Sequence, residues 1–285
     1  MGDDNVKIGA TTSVGLARGP RFRANVTLVR LERTNVTLGP LELELELERE
    51  RSVAVRRVLT SRAGGRSAGP YASFNLGGSV GDDPTAVAAN RARLAAETGL
   101  PAGRLVWMDQ VHDAQVAIID GPQQTAVPKT DGLVTTTPGL GLVVLVADCV
   151  PILLADVEAG VAGVAHAGRP GAAVGIGQRA VAAMIEAGAR PAAIEVLLGP
   201  AICGRCYEVP AEMQADVEAR LPGSACATKT GTTGLDLRAG LAQALLAAGV
   251  GRVVADPRCT AEDAELYSYR RDGVTGRQAG IAWVE

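Results

Sequence analysis

His112, Cys149 and His166 are the residues of this chain best suited to carry chemistry. The sequence holds only two histidines in 285 residues. His112 lies in Trp107-Met108-Asp109-Gln110-Val111-His112-Asp113, and His166 follows the apolar run Gly163-Val164-Ala165. Cys149 interrupts two apolar runs in Ala147-Asp148-Cys149-Val150-Pro151. Taken singly, each reads as a hydrogen-bonded core or rim histidine, or as a small buried hydrophobe in the case of cysteine. Taken together at three strand ends, they match a His₂Cys zinc set whose fourth position stays open for chemistry. The same ligand types also suit a single blue-copper centre, with Met108 as the weak axial ligand. A metal-free pair, with Cys149 as nucleophile and His112 or His166 as base, is the third reading. Metal content separates the three.

The remaining cysteines offer less. Cys203-Gly204-Arg205-Cys206 is half of a structural zinc site or a redox pair, but Cys226 and Cys259 stand singly and no thioredoxin-like unit precedes the motif. It reads as two incidental thiols on a loop. The glycine-rich stretches at Gly77-Gly78 and Gly171 to Gly177 lack the P-loop lysine and the Rossmann spacing.

The elements that must position these residues follow from the apolar pattern. Val53 to Leu59, Val116 to Ile119, Leu142 to Val146, Ile152 to Asp156 and Val161 to Ala165 read as strands, as do Ile194 to Leu198, Val253 to Ala255 and Ile281 to Val284. Pro84 to Thr98 reads as a helix, capped by Asp83 and ended by Gly99. Ala172 to Ala187 and Leu237 to Ala248 also have helical composition. Short strands interleaved with single helices predict one α+β domain, a mixed β-sheet core flanked by helices in an α/β/α layering.

Residues 1–52 differ from the rest. Asn25-Val26-Thr27-Leu28 recurs as Asn35-Val36-Thr37-Leu38, and Leu41 to Glu48 alternates Leu with Glu, which on a strand would separate the two types onto opposite faces. This segment reads as an appendage without catalytic residues, of the kind a reading frame opened too early would add; residues 53–285 read as the catalytic domain.

Composition narrows the function classes. Hydrophobic residues are 47% and charged residues 21%, ordinary for a globular chain, while aromatics at 3% leave the core to Ala, Val, Leu and Ile. A net charge of −3, with both signs interspersed, supplies no basic stripe for nucleic acid and no polybasic membrane anchor. The longest apolar run, Leu140 to Ala155, carries Asp148 and is too short to span a bilayer. The start Met-Gly-Asp-Asp-Asn-Val-Lys lacks the apolar core of an export signal. With an odd number of cysteines, five, the expectation is reduced thiols in a cytoplasm.

An ordered set of motifs then resembles a known family. It runs through Thr60-Ser61-Arg62-Ala63-Gly64-Gly65, Ser73-Phe74-Asn75-Leu76-Gly77, Val80-Gly81-Asp82-Asp83, Asn90-Arg91 and Gln110-Val111-His112. It continues through Thr130-Asp131-Gly132, Ala147-Asp148-Cys149-Val150-Pro151 and His166-Ala167-Gly168. It ends with Gly199-Pro200-Ala201-Ile202, Tyr207-Glu208-Val209 and Ser268-Tyr269-Arg270-Arg271-Asp272-Gly273. From about Val53 to the C-terminus the chain resembles the laccase-domain, or polyphenol oxidase, family, whose members are described as zinc-dependent purine nucleoside phosphorylases with adenosine deaminase activity. The resemblance implies that His112, Cys149 and His166 hold one zinc. It also implies phosphorolysis of adenosine, inosine, guanosine and methylthioadenosine, with deamination of adenosine. Copper is the alternative ion in vitro.

The partners so implied are purine nucleosides and inorganic phosphate, with the protein a monomer or small homo-oligomer. Asp148, beside a ligand, is expected either to accept a proton or to orient the site. Arg62, Arg91, Arg270 and Arg271 are the candidate phosphate holders, since guanidinium binds phosphate bidentately, and Asn75 joins them as a substrate position. Where the family commonly has His-Ala-Gly-Trp-Arg-Gly, this chain has His166-Ala167-Gly168-Arg169-Pro170-Gly171. The tryptophan is absent and the arginine stands one place earlier. Multicopper chemistry is excluded by count, because two histidines cannot build an imidazole-held trinuclear cluster.

Overall fold

The computed structural model describes residues 54–285 together with the short strand Thr27–Leu28. The Leu-Glu alternation and the second Asn-Val-Thr-Leu copy lie outside the described residues.

Two sheets form the centre. The first has the order β1 (Thr27–Leu28), β2 (Val55–Leu59), β13 (Gln278–Val284), β6 (Gly141–Val146) and β3 (Leu105–Val106), antiparallel except for the last pair. The second has the order β12 (Arg252–Ala255), β9 (Glu195–Leu198), β7 (Val150–Asp156), β8 (Val161–Ala167), β5 (Gly132–Thr135) and β4 (Val116–Ile118). Its two outer pairs are parallel and its inner ones antiparallel. A separate hairpin joins β10 (Ala225–Ala227) to β11 (Thr233–Leu235).

The sheets pack face to face. Leu142 and Val144 of the first sheet and Leu133, Leu153 and Val164 of the second share one apolar cluster. The approach is close at Gly280 of β13, where a Cβ would lie 2.9 Å from Leu153 Cδ1 of β7. Only hydrogen fits there. Each sheet buries its other face under helices. α1 (Pro84–Thr98) covers the first sheet through Leu94 and Ala95 against Val143 and Ile281. α2 (Arg169–Ala173), α3 (Ile176–Glu186) and α5 (Leu237–Ala247) cover the second through Ile176, Met184 and Leu241. The polar helix α4 (Ala211–Arg220) buries only Val217, and α6 (Tyr269–Asp272) is a single turn.

The α+β class and the mixed-sheet core flanked by helices stand as expected, with the β layer two sheets thick. Strands buried on both faces carry nearly continuous apolar runs, so their sequences do not reveal which face meets a helix and which meets a second sheet. α1 begins and ends as expected: Asp83 accepts a hydrogen bond from Thr85 N–H at 2.9 Å, and Gly99 takes the left-handed conformation. The single helix expected over Ala172 to Ala187 is instead two, interrupted at Val174–Gly175.

Leu153, fully buried between the sheets, tests this packing. Leu153→Ala should cost about 2–5 kcal/mol in urea unfolding, from lost transfer energy and an unfilled cavity. A loss below about 1 kcal/mol would contradict a close-packed interface between the sheets.

Candidate metal centre

Strand register brings Cys149 and His166 together, while His112 reaches them from the loop between β3 and β4 rather than from a strand end as expected. In the β7–β8 pair Pro151 faces His166 and Val150 faces Ala167, so Cys149, just before β7, falls opposite Gly168. In the β5–β8 pair Gly132 faces Ala165, which puts Asp131 opposite His166. The His166 N–H donates to Asp131 O at 2.7 Å. The ligand atoms of His112, Cys149 and His166 all lie within 4.8 Å of one another. Cys149 Sγ is 3.8 Å from His112 Nε2, and the two imidazoles meet edge to face at 4.6 Å between centroids.

The His112 loop is held by a carboxylate. Asp131, fully buried, accepts hydrogen bonds from the backbone N–H groups of Val111, His112 and Asp113 at 3.1, 3.0 and 2.9 Å. Its Oδ1 also lies 2.8 Å from His166 Nδ1. That contact leaves Nε2 of His166 as the nitrogen facing Cys149, the arrangement in which a carboxylate fixes the tautomer of a metal-binding imidazole. Burial opposes ionisation of Asp131, but the His166 hydrogen bond and the backbone N–H groups outweigh it and hold the carboxyl below its usual range. The sequence placed Asp131 in a family motif without giving it a role; its role depends on which strand lies beside it.

Both ligand loops pass through left-handed backbone at non-glycine residues, His112 at φ 64° and Asp148 at φ 85°. Such positions cost about 1–3 kcal/mol each and persist only where the surroundings over-determine them. Asp131 does this for His112. Asp148 is tied by its own side chain: Oδ1 accepts from Thr260 Oγ1 and Oδ2 from the Arg270 N–H, each at 2.6 Å, while its carbonyl accepts from Ile202 N–H at 3.0 Å. These bonds tie the turn before Cys149 to Ile202, Thr260 and Arg270.

His₂Cys is a suitable donor set for zinc. Two further observations fit a metal. A Cβ at Gly168 would lie 2.4 Å from His112 Cδ2 and 3.3 Å from Cys149 Sγ, so the family glycine leaves the imidazole its space. Electrostatics favour the thiolate: burial raises the Cys149 thiol, yet the charge of His166 and hydrogen bonds from both imidazoles pull it down to about 6. His166 is correspondingly raised to about 9, as Cys149 and Asp131 overcome its burial. Met108, the candidate axial copper ligand, packs in the cluster between the sheets instead.

The candidate substrate positions divide. Arg270 is exposed, donates Nη1 to Glu208 O at 2.9 Å and stacks 5.0 Å over the Tyr207 ring. Burial raises the Tyr207 phenol, with Arg169 and Arg270 opposing and Cys149 adding to it, so Tyr207 lies within electrostatic reach of all three. Arg169, the displaced family arginine, therefore still addresses the site from the first turn of α2. Arg277, which the sequence did not single out, has its pKa lowered by burial and is drawn back by Cys149 and Asp148.

Arg91 donates from Nε and Nη2 to Leu76 O and stacks 4.0 Å over Trp107. Arg62 donates to Ala72 O and stacks on Tyr267, and Arg271 is committed to Thr260, Asp263 and Leu266 carbonyls. Asn75, fully buried, binds Gly77, Asp82 and the Arg277 N–H, so it shapes the loop that carries Arg277.

The Cys203–Cys206 loop does not stand alone. Cys259 is brought to the Cys203-Gly204-Arg205-Cys206 loop, and Glu262 joins them. Burial raises the Cys203 thiol, and burial with a Glu262 contact pushes Cys206 up to about 12.

Comparison with known proteins agrees with this architecture. The family described as multi-copper polyphenol oxidoreductase laccase matches residues 56–285. The chain belongs to that family. A Mycobacterium tuberculosis protein named purine nucleoside phosphorylase is 57% identical over 234 residues, covering 82% of this chain and 94% of its own. A Corynebacterium glutamicum protein of the same name is 56% identical, covering 82% and 96%. Among solved structures, YfiH of Bacillus licheniformis has a TM-score of 0.76 at 32% identity, covering 81% of this chain and 93% of its own. YlmD of Geobacillus stearothermophilus has 0.75 at 39% identity, covering 80% and 91%. Among the described residues, no helix is long and apolar enough to cross a membrane.

Asp131→Asn should weaken metal binding at this centre about 10- to 100-fold, because the charge opposing the imidazole and one acceptor for the loop are lost. Competition with a chromophoric chelator measures it, and affinity unchanged within twofold would remove Asp131 from its proposed place.

Proposed function

We propose that the chain is a zinc-dependent purine nucleoside phosphorylase acting on adenosine, inosine, guanosine and methylthioadenosine, with adenosine deaminase activity. The observation that carries the reading is the convergence of His112, Cys149 and His166, with a carboxylate behind one imidazole and an open side at the exposed His112. The purine nucleoside phosphorylase name of relatives sharing more than half their residues with the chain supports the substrate class.

Zinc at this centre would act as a Lewis acid toward water, a phosphate oxygen or a purine nitrogen. The chain's own residues do the rest. Asp131 keeps His166 in one tautomer and Asp148 keeps the Cys149 loop in place. Arg270, with Arg169 and Arg277, supplies positive charge around Tyr207 and Cys149, where phosphate is held while the ribose carbon gains positive charge. Deamination draws on water instead and needs no such grip. The reading places residues 1–52 outside the catalytic unit and the protein in the cytoplasm.

Two measurements test it. His112→Ala and His166→Ala should each bind one zinc fewer than wild type and lose phosphorolysis, since two ligands hold the ion poorly. Unchanged zinc content in both, or full turnover in zinc-free protein, would hand the chemistry to the Cys149–imidazole pair. Second, adenosine turnover is followed with and without phosphate. Arg270→Ala should lower phosphorolysis by roughly one to three decades and largely spare deamination, as one charged contact to phosphate is lost. Equal losses in both reactions would show that Arg270 supports nucleoside binding or the fold.

A further inference from the structure

We propose that Cys203, Cys206, Cys259 and Glu262 form a second metal site, a structural one for zinc, separate from the His₂Cys centre. Their ligand atoms all lie within 4.8 Å of one another. In a zinc tetrahedron with Zn–S near 2.3 Å, thiolates stand roughly 3.8 Å apart, so small side-chain rotations close the set. Four ligands from the protein with no open position is the pattern of a structural site. The backbone already converges on it. The Cys203 N–H donates to Cys259 Sγ at 3.3 Å, and Cys206 N–H donates to Cys203 O at 2.9 Å. Ala201 bridges to Cys259, whose carbonyl accepts from the N–H groups of Glu262 and Asp263.

Charge and access agree. Three thiolates and a carboxylate around a divalent ion leave a net charge of about −2. Cys206 and Glu262 line a cleft of about 260 Å³ that also presents Arg205, Lys229, Arg270 and Arg271. That cleft offsets the charge and gives the ion a path from solvent.

The site would staple two loops that have no regular structure of their own. One leads from β9 to Tyr207, and the other runs from β12 to α6, which carries Arg270. Each loop touches Asp148, through Ile202 N–H to its carbonyl and through Thr260 Oγ1 to its carboxylate. An ion here would therefore brace the wall beside Cys149 without touching substrate.

The test is zinc content of the full-length protein, read against the His166→Ala variant. Wild type should carry two equivalents, the Cys203→Ser/Cys259→Ser double variant one, and His166→Ala one. Because Glu262 is exposed, Glu262→Gln should fold, and it should surrender one equivalent to a chelator about tenfold faster than wild type. Cobalt(II) loaded into His166→Ala should give the intense thiolate charge-transfer band of a Cys-rich tetrahedral site. A wild type with one equivalent that His166→Ala loses entirely would overturn the proposal. So would a Cys203–Cys206 disulfide in the zinc-loaded protein, found by intact mass. Failure of the His₂Cys centre looks different: His166→Ala would then match wild type while the cysteine variants lose an ion.

Discussion

The centre depends on one buried carboxylate. Asp131 gathers three backbone N–H groups of the His112 loop and the Nδ1 edge of His166, although an isolated charge at that depth would be strongly unfavourable. Four hydrogen-bond partners offset the lost hydration, and the same four define where two imidazoles stand. His112 keeps its left-handed backbone because all three donors of its loop are occupied by one acceptor. Without Asp131 the β5–β8 register would still place His166 near a strand end, but the three backbone hydrogen bonds that fix the His112 loop beside it would be lost.

How far the sequence revealed this follows the range of each interaction. Helix α1 was legible because its cap, its glycine stop and its apolar face are all local. The ligands were legible because histidine is scarce, because His166 follows an apolar run, and because all three stand in an ordered set of motifs. Asp131 and Arg277 were not, since Asp131 acts on His166, 35 positions away, and Arg277 on Cys149 and Asp148, both distant in sequence. Short β5 and polar α4 carry too little periodicity to stand out, with Val217 the one buried residue of α4. Cys259 looked single because the bridge that returns it to Ala201 is a tertiary contact.

The departure after His166 has a physical reading. At the position where the resemblance leads one to expect a tryptophan, Arg169 brings a guanidinium close to Tyr207. The cations around Tyr207 and Cys149 thus come from three separate segments: α2, α6 and the loop just before β13. Asp148 ties two loops together, because its carbonyl accepts from Ile202 N–H of one and its carboxylate from Thr260 Oγ1 and the Arg270 N–H of the other. A change at either loop reaches Cys149 through one residue.

The central claim is that His112, Cys149 and His166 share one catalytic zinc. Anomalous diffraction at the zinc edge, on crystals of enzyme that performs phosphorolysis, tests it most directly. The account predicts a peak within bonding distance of all three, about 2.0–2.1 Å from the imidazole nitrogens and about 2.3 Å from the sulfur. Active crystals with no anomalous density between these residues would contradict it.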